Sequence, residues 1–153
     1  MEIQNNKKPT IEVAQDFNAD ATIVFQAWLD TNVIAKWMFG PEVRKESITK
    51  LENNPKIGGT FSYVVERNGN QLDHIGTYLE VQKNERLVFT WGIGQEAAKE
   101  SIVSINLSPS TSGCHLILTH QMDPKWADYA ERTKEGWKTI LLNLAALFEK
   151  DNS

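Results

Sequence analysis

Residues 124–149, PKWADYAERTKEGWKTILLNLAALFE, repeat their apolar side chains at the period of an α-helix. Trp126, Tyr129, Ala130, Thr133, Trp137, Ile140, Leu141, Leu144 and Phe148 fall on one face. Asp123 is an N-cap residue and Pro124 suits the first helical position, so the spacing predicts one helix over 124–149. At 1.5 Å per residue such a helix is about 39 Å long, and its apolar face needs a partner surface of similar length. Its halves differ: residues 124–135 carry six charges, whereas residues 137–148 carry one. The second half is expected to be the buried anchor and the first a solvated flap. Gly136 stands at their junction, where a helical glycine costs ~1 kcal/mol relative to alanine. The expectation is that its missing side chain lets a strand, a helix or a ligand approach the backbone.

The rest of the chain supplies a sheet to cover that helix. IEVAQDF (11–17) alternates apolar and polar positions and reads as a strand. Asn18 to Asp20 break it, and ATIVFQAWLD and TNVIAKWMF then read as two short helices that end at Gly40-Pro41. From Glu42 to Met122 the pattern is almost wholly that of strands. Two alternating runs flank Asn68-Gly69, the dipeptide that best tolerates the positive φ angles of a tight hairpin. Lys83 to Glu85 turn the chain into RLVFTWGI (86–93), and SIVSINL (101–107) and CHLILTHQM (114–122) flank the polar turn SPSTSG. With the segment around Ser47 to Leu51 this makes about seven strands in an antiparallel meander, large enough to curl and bury one face.

Composition excludes several classes of function. A chain of 153 residues, 41% hydrophobic and 24% charged, reads as one domain over 1–153 that buries a core without disulfide or metal. Cys114 is the one cysteine, which suits a reducing compartment. The net charge is −4 with basic residues scattered, so there is no basic footprint for nucleic acid. No apolar run reaches the ~18 residues of a membrane span, and MEIQNNKKPT lacks the apolar segment of a signal peptide. A cytoplasmic location is therefore expected, and Asn106-Leu107-Ser108 matches a glycosylation sequon by chance. Gly58-Gly59 lacks the spacing of a phosphate loop and reads as a bend, and no HxxxH or CxxC spacing suggests a metal. No cofactor is expected.

The element order, strand, two short helices, long meander and long C-terminal helix, resembles the helix-grip (START-like/Bet v 1-like) α+β fold of the SRPBCC superfamily. Within it, FNADATIVFQAWLDTNVIAKWMFGP, IGGTFSY, IGTYLEV followed by ERLVFTW, LILTH and EGWKTILLNL are similar to the bacterial branch named after the activator of Hsp90 ATPase (AHSA1-like). These motifs span residues 17–144; the chain has Trp37-Met38 where that family often carries two tryptophans. The resemblance implies a curved sheet of six to seven strands gripping the helix, with a cavity between them open towards the short helices. Its implied occupant is a small hydrophobic molecule: a lipid, a polyketide or an aromatic compound.

The residues supply material for such a cavity. Phe61, Tyr63, Tyr78, Phe89, Trp91 and Trp137 lie on strands and helix that face one another, with Trp28, Trp37, Phe39, Trp126 and Leu141 around them. His74, His120 and Glu80 are the polar groups among these walls, and apolar walls with sparse polar groups are what small-molecule sites use. The same aromatics at alternating positions also describe a filled core, and His120 also fits a histidine bonded to a neighbour. His115 falls on the opposite strand face and is expected to be solvated. Two other functions stand beside ligand binding. The eukaryotic relatives that name the family imply a chaperone regulator, acting on Hsp90 in a stress response. Some helix-grip proteins are cyclases or dehydratases, for which Glu80 and His120 are the candidate acid and base.

Overall fold

In the computed structural model, which describes residues 9–94 and 101–151, strand β1 (Thr10–Phe17) leads into helices α1 (Ala21–Ala27) and α2 (Thr31–Trp37). Then come β2 (Ser47–Asn53), β3 (Thr60–Arg67), β4 (Asn70–Gln82), β5 (Arg86–Thr90), β6 (Gly92–Ile93), β7 (Ile102–Ser110) and β8 (Gly113–Gln121). A 3₁₀ helix (Pro124–Tyr129) and the long helix α3 (Ala130–Asp151) close the chain. The strands form one open antiparallel sheet in the order β1-β8-β7-β5-β4-β3-β2, with β6 beside β4. This is a helix-grip α+β fold: the sheet curls around α3, which packs chiefly along β1.

Local chemistry sets most boundaries. Asp20 and Asp30 cap α1 and α2 by accepting hydrogen bonds from Ile23 N at 3.2 Å and Asn32 N at 2.9 Å. Asn68 and Gly69 adopt φ of 55° and 82°, the positive pair that a two-residue hairpin between β3 and β4 requires. RLVFTWGI, expected as one strand, divides at Trp91: β5 pairs with β4 and β7, and Gly92–Ile93 pairs back onto His74 and Ile75. Beside this break β4 carries Gly76, where a Cβ would run into the Thr90 carbonyl and the Phe61 ring.

A second irregularity in β4 decides which side chains face inward. His74, Gly76 and Tyr78 are buried at alternate positions. Strict alternation would turn Glu80 inward as well, but the register shifts between Tyr78 and Glu80, as at a β-bulge. Beyond it Val81 packs on the core and Glu80 faces outward, its side chain 42% exposed and its Oε1 accepting from Arg86 Nε at 2.9 Å. The expectation that Glu80 stands among the cavity walls is thus corrected.

The segment read as one helix over 124–149 is two. Asp123 does cap it, accepting from Lys125 N at 2.9 Å, but its first six residues wind as a 3₁₀ helix and none is buried. With 3.0 rather than 3.6 residues per turn, six residues drift by about 120° from the α-helical phase. Trp126 and Tyr129 are thereby carried off the buried stripe; they are 41% and 45% exposed and pair with each other at 5.6 Å, as eclipsed i and i+3 residues do. From Trp137 onward the stripe is buried, with Leu141 and Leu144 inaccessible to solvent and Phe148 7% exposed. Gly136 is exposed and a Cβ there would meet nothing within 4 Å. The close approach expected at this glycine does not occur, because the residue faces outward.

Candidate functional site

The aromatic side chains expected to line a cavity meet in the middle of the molecule. Trp28 lies 4.8 Å from Trp37 and 6.1 Å from Trp137 between ring centroids, and Phe61 stacks on Tyr63 at 4.9 Å. Phe89 meets Phe61 edge-on at 5.7 Å. Phe39 contacts the His74 ring at 4.6 Å, and Leu141 is fully buried in the same core. These rings fill the interior: between Trp28, Met38, Phe61, Tyr63, Tyr78, Leu87, Phe89 and Trp91 about 10 Å³ remains, no more than a water molecule needs.

Polar atoms inside this cluster are mostly paired. The Tyr63 and Tyr78 hydroxyls lie 3.4 Å apart and Asn53 Nδ2 donates towards both, as well as to Leu29 O at 2.8 Å. Burial pushes both phenols above their ordinary pKa. Trp37 Nε1 donates to Ala27 O, and His74 Nδ1 donates to Tyr63 O at 3.1 Å. Burial lowers the pKa of His74, outweighing that carbonyl contact. Trp28 Nε1 is buried without an acceptor among the described residues.

At the end of this cluster the structure opens. A cleft of about 370 Å³ lies between Trp91, Gly92 and Ile93 on one side and Met122, Trp126, Tyr129 and Thr133 on the other. Ser101 and His120 form its polar part. Trp91 lines both the cleft and the closed interior, so it is the partition between them. His120 is 5% exposed and both ring nitrogens are engaged: Trp137 Nε1 donates to Nδ1 at 3.0 Å, and Nε2 meets Ser101 Oγ. Burial lowers its pKa to about 4, so the ring is neutral at pH 7.

Another cleft, of about 400 Å³, lies between α1, α2 and the end of α3, lined by Ile23, Ala27, Val33, Leu147 and Phe148 with Thr22, Gln26 and Lys36. Its polar groups belong to exposed residues, with no buried ionisable group among them. His115 stands on the outer face of β8, as its strand parity predicts, with Nδ1 2.7 Å from Asp16 Oδ1. Cys114 is buried and its thiol pKa is pushed up to about 11, first by burial. Among the described residues, no group of three or more His, Cys, Asp or Glu is placed to hold a metal. No described helix is long and apolar enough to cross a membrane.

Of the residues singled out from the sequence, Trp91, His120 and Trp126 come together at the open cleft, with Trp137 behind His120. Trp28, Phe61, Tyr63, Tyr78 and Phe89 surround the closed interior; Trp37, Phe39, His74 and Leu141 are buried around it. Ser101, Met122 and Tyr129 were missed. Ser101 had a signal: it continues the inward positions Val103, Ile105 and Leu107 of β7, and Val103 pairs with His120.

A family model described as "Activator of Hsp90 ATPase homolog 1-like protein" matches residues 18–149. Among solved structures, protein CV1439 from Chromobacterium violaceum is 28% identical with a TM-score of 0.77, over 92% of this chain and 97% of that one. Protein NE0264 from Nitrosomonas europaea is 19% identical with a TM-score of 0.79, over 99% of both chains. Protein SA2116 from Staphylococcus aureus, described as of unknown function, is 16% identical with a TM-score of 0.79, over 96% of this chain and 97% of that one. No curated protein matches the sequence.

Proposed function

The chain belongs to the activator of Hsp90 ATPase homolog 1-like family, and from that membership and the geometry around His120 we propose that it binds a small hydrophobic or amphipathic molecule in the His120 cleft. The observation that carries this reading is a cleft of about 370 Å³ with apolar walls above a buried, neutral imidazole. Small-molecule sites typically occupy ~300–1,000 Å³ and combine such walls with a few oriented polar groups. Ile93, Trp126 and Tyr129, three of the large apolar residues that remain exposed, all border this one cleft. A lipid tail, a polyketide or an aromatic compound is the class of molecule that fits.

Acid–base catalysis by His120 and Glu80 finds no support, because Glu80 is paired with Arg86 on the outer face of the sheet. The family's description also names Hsp90 ATPase activation, a role that the cleft neither requires nor locates. The test is to follow the indole N–H signals of the five tryptophans by NMR while methyl oleate and flavone are added separately. Trp91 and Trp126 are expected to shift, and Trp37, buried away from the cleft, to stay. If saturating amounts of either compound leave Trp91 and Trp126 unmoved, binding in this cleft is refuted.

A further inference from the structure

We propose that Trp137 holds His120 in its Nε2–H tautomer, so that the Ser101 hydroxyl is turned into a hydrogen-bond donor for a ligand. The cleft then takes apolar molecules that carry a neutral acceptor, such as an aryl ketone. This inference rests on the binding reading above and names the ligand chemistry of that same site.

The argument begins with the indole. A tryptophan N–H only donates, and that of Trp137 lies 3.0 Å from His120 Nδ1, which must therefore present its lone pair. A neutral imidazole with a bare Nδ1 carries its proton on Nε2. That nitrogen faces Ser101 Oγ, so the serine oxygen accepts, and its own proton is left to donate elsewhere. Ser101 lines the cleft, and no acceptor among the described residues meets its hydroxyl.

A serine oxygen beside histidine Nε2 is also the pairing by which a base activates a nucleophile. For that role Nε2 must accept the serine proton. Here Trp137 assigns the proton to Nε2, and His120 donates to the oxygen it would otherwise deprotonate. The dyad is thus arranged for recognition and not for acyl transfer.

Electrostatics narrows the ligand further. None of the described residues that line the cleft carries a charge at neutral pH. Lys125 and Arg132 lie against the rings of Trp126 and Tyr129, 5.9 Å and 5.5 Å from their centroids, and are not part of the lining. A carboxylate reaching Ser101 meets no cation among the described lining residues to offset its desolvation, whereas a carbonyl oxygen needs only the hydroxyl.

The test has two arms. Long-range ¹H–¹⁵N NMR of the free protein at pH 7 reads the tautomer directly. The Nε2–H pattern is expected, a mixture after Trp137→Phe, and an Nδ1–H or doubly protonated His120 in wild type overturns the proposal even if that variant fails to fold. The second arm compares benzophenone with diphenylmethane, which differ only in the carbonyl, through the Trp91 and Trp126 indole shifts. Benzophenone is expected to bind about two- to tenfold more tightly, the usual range for one added hydrogen bond. The difference should vanish in Ser101→Ala and return in Ser101→Thr. Equal affinities in wild type overturn the selectivity and leave the binding reading standing; no shift with either compound overturns both.

Discussion

The indole N–H of Trp137, on α3, donates to Nδ1 of His120, on β8, at 3.0 Å. It is a polar bond across the boundary between the long helix and the sheet that grips it. It lies where the solvated and buried halves of the C-terminal segment meet, and it joins the closed aromatic interior to the open cleft. One contact therefore fixes the helix against the sheet and sets the proton on the imidazole. Fold stability and site chemistry are coupled through it.

The first consequence is a pH dependence. In the unfolded chain His120 titrates near 6.5, and in the folded protein burial lowers its pKa to about 4. Above pH 6.5 both states are neutral and this contribution to stability is intact. As the pH falls from 6.5 towards 4 the unfolded chain takes up a proton that the folded protein excludes, so stability is lost and levels off below about 4. A difference of this size corresponds to roughly 3 kcal/mol. His74, also lowered, acts in the same direction. Urea midpoints at pH 7.5 and 4.5 should fall markedly in wild type and less in His120→Asn; an identical fall in both would remove His120 as the cause.

A second prediction concerns Glu46, whose carboxylate is fully buried. Oε2 accepts from Gly40 N at 2.8 Å and Arg44 Nη1 at 2.9 Å, and Oε1 from Arg67 Nε and Nη2 at 2.9 and 2.8 Å. It ties the turn after α2 to β3. Burial alone would raise its pKa, but these donors outweigh burial and hold it below the usual carboxylate value. Its contribution is therefore present above pH ~4.5 and lost as the pH falls below that. Breaking a buried pair costs about 3–5 kcal/mol; with side chains of Arg44 and Arg67 29% and 33% exposed, Glu46→Gln should cost about 2–3 kcal/mol. Thermal or urea unfolding at pH 7 measures it, and a loss below about 0.5 kcal/mol would mean that water replaces the carboxylate.

Residue patterns made the strands and their partners readable because alternation and turn chemistry are local. Asn68-Gly69 announces its hairpin, and Asp123 announces its cap, without reference to the rest of the chain. Glu80 was misplaced because a bulge at Leu79 changes strand parity, and nothing in the alternation of β4 marks an extra residue. The aromatic residues were identified correctly as facing one another, but whether they line a space or fill it depends on the distance between helix and sheet. That distance is a sum over the whole core and no single motif carries it. Trp126 and Tyr129 were read on the buried stripe because a 3₁₀ turn and an α-turn share the same capping signature. His120 and Trp137 were both singled out, yet their hydrogen bond joins two elements whose registers are independent in the sequence.

Gly76 gives a third prediction, on the close approach of strands where β5 gives way to β6. A Cβ at this position would overlap the Thr90 carbonyl and the edge of the Phe61 ring. The first obstacle is backbone and cannot rotate away, so β4 and β5 would have to separate beside the aromatic cluster. Gly76→Ala should cost more than about 2 kcal/mol, in the range of overpacked core substitutions, and broaden the tryptophan signals of the interior. A variant as stable as wild type would show that this close approach tolerates a side chain.

The last prediction reverses the expectation attached to Gly136. The residue lies in the interior of α3, where glycine leaves the unfolded chain more freedom than alanine does and so weakens the helix. No strand, helix or side chain stands within 4 Å of where a Cβ would be, so the substitution meets no obstacle. Its neighbour Trp137, 4% exposed, points about 100° further around the helix into the core and needs no adjustment. Gly136→Ala is therefore expected to stabilise the protein by about 0.5–1 kcal/mol, read as a higher urea midpoint at unchanged slope. Because the first half of the C-terminal segment borders the cleft and the second half anchors the core, the same variant also tests whether the junction needs to flex. Unchanged benzophenone affinity in a more stable protein would show a rigid junction, and a gain in stability with weaker binding would show that the glycine serves the cleft through motion and not through contact.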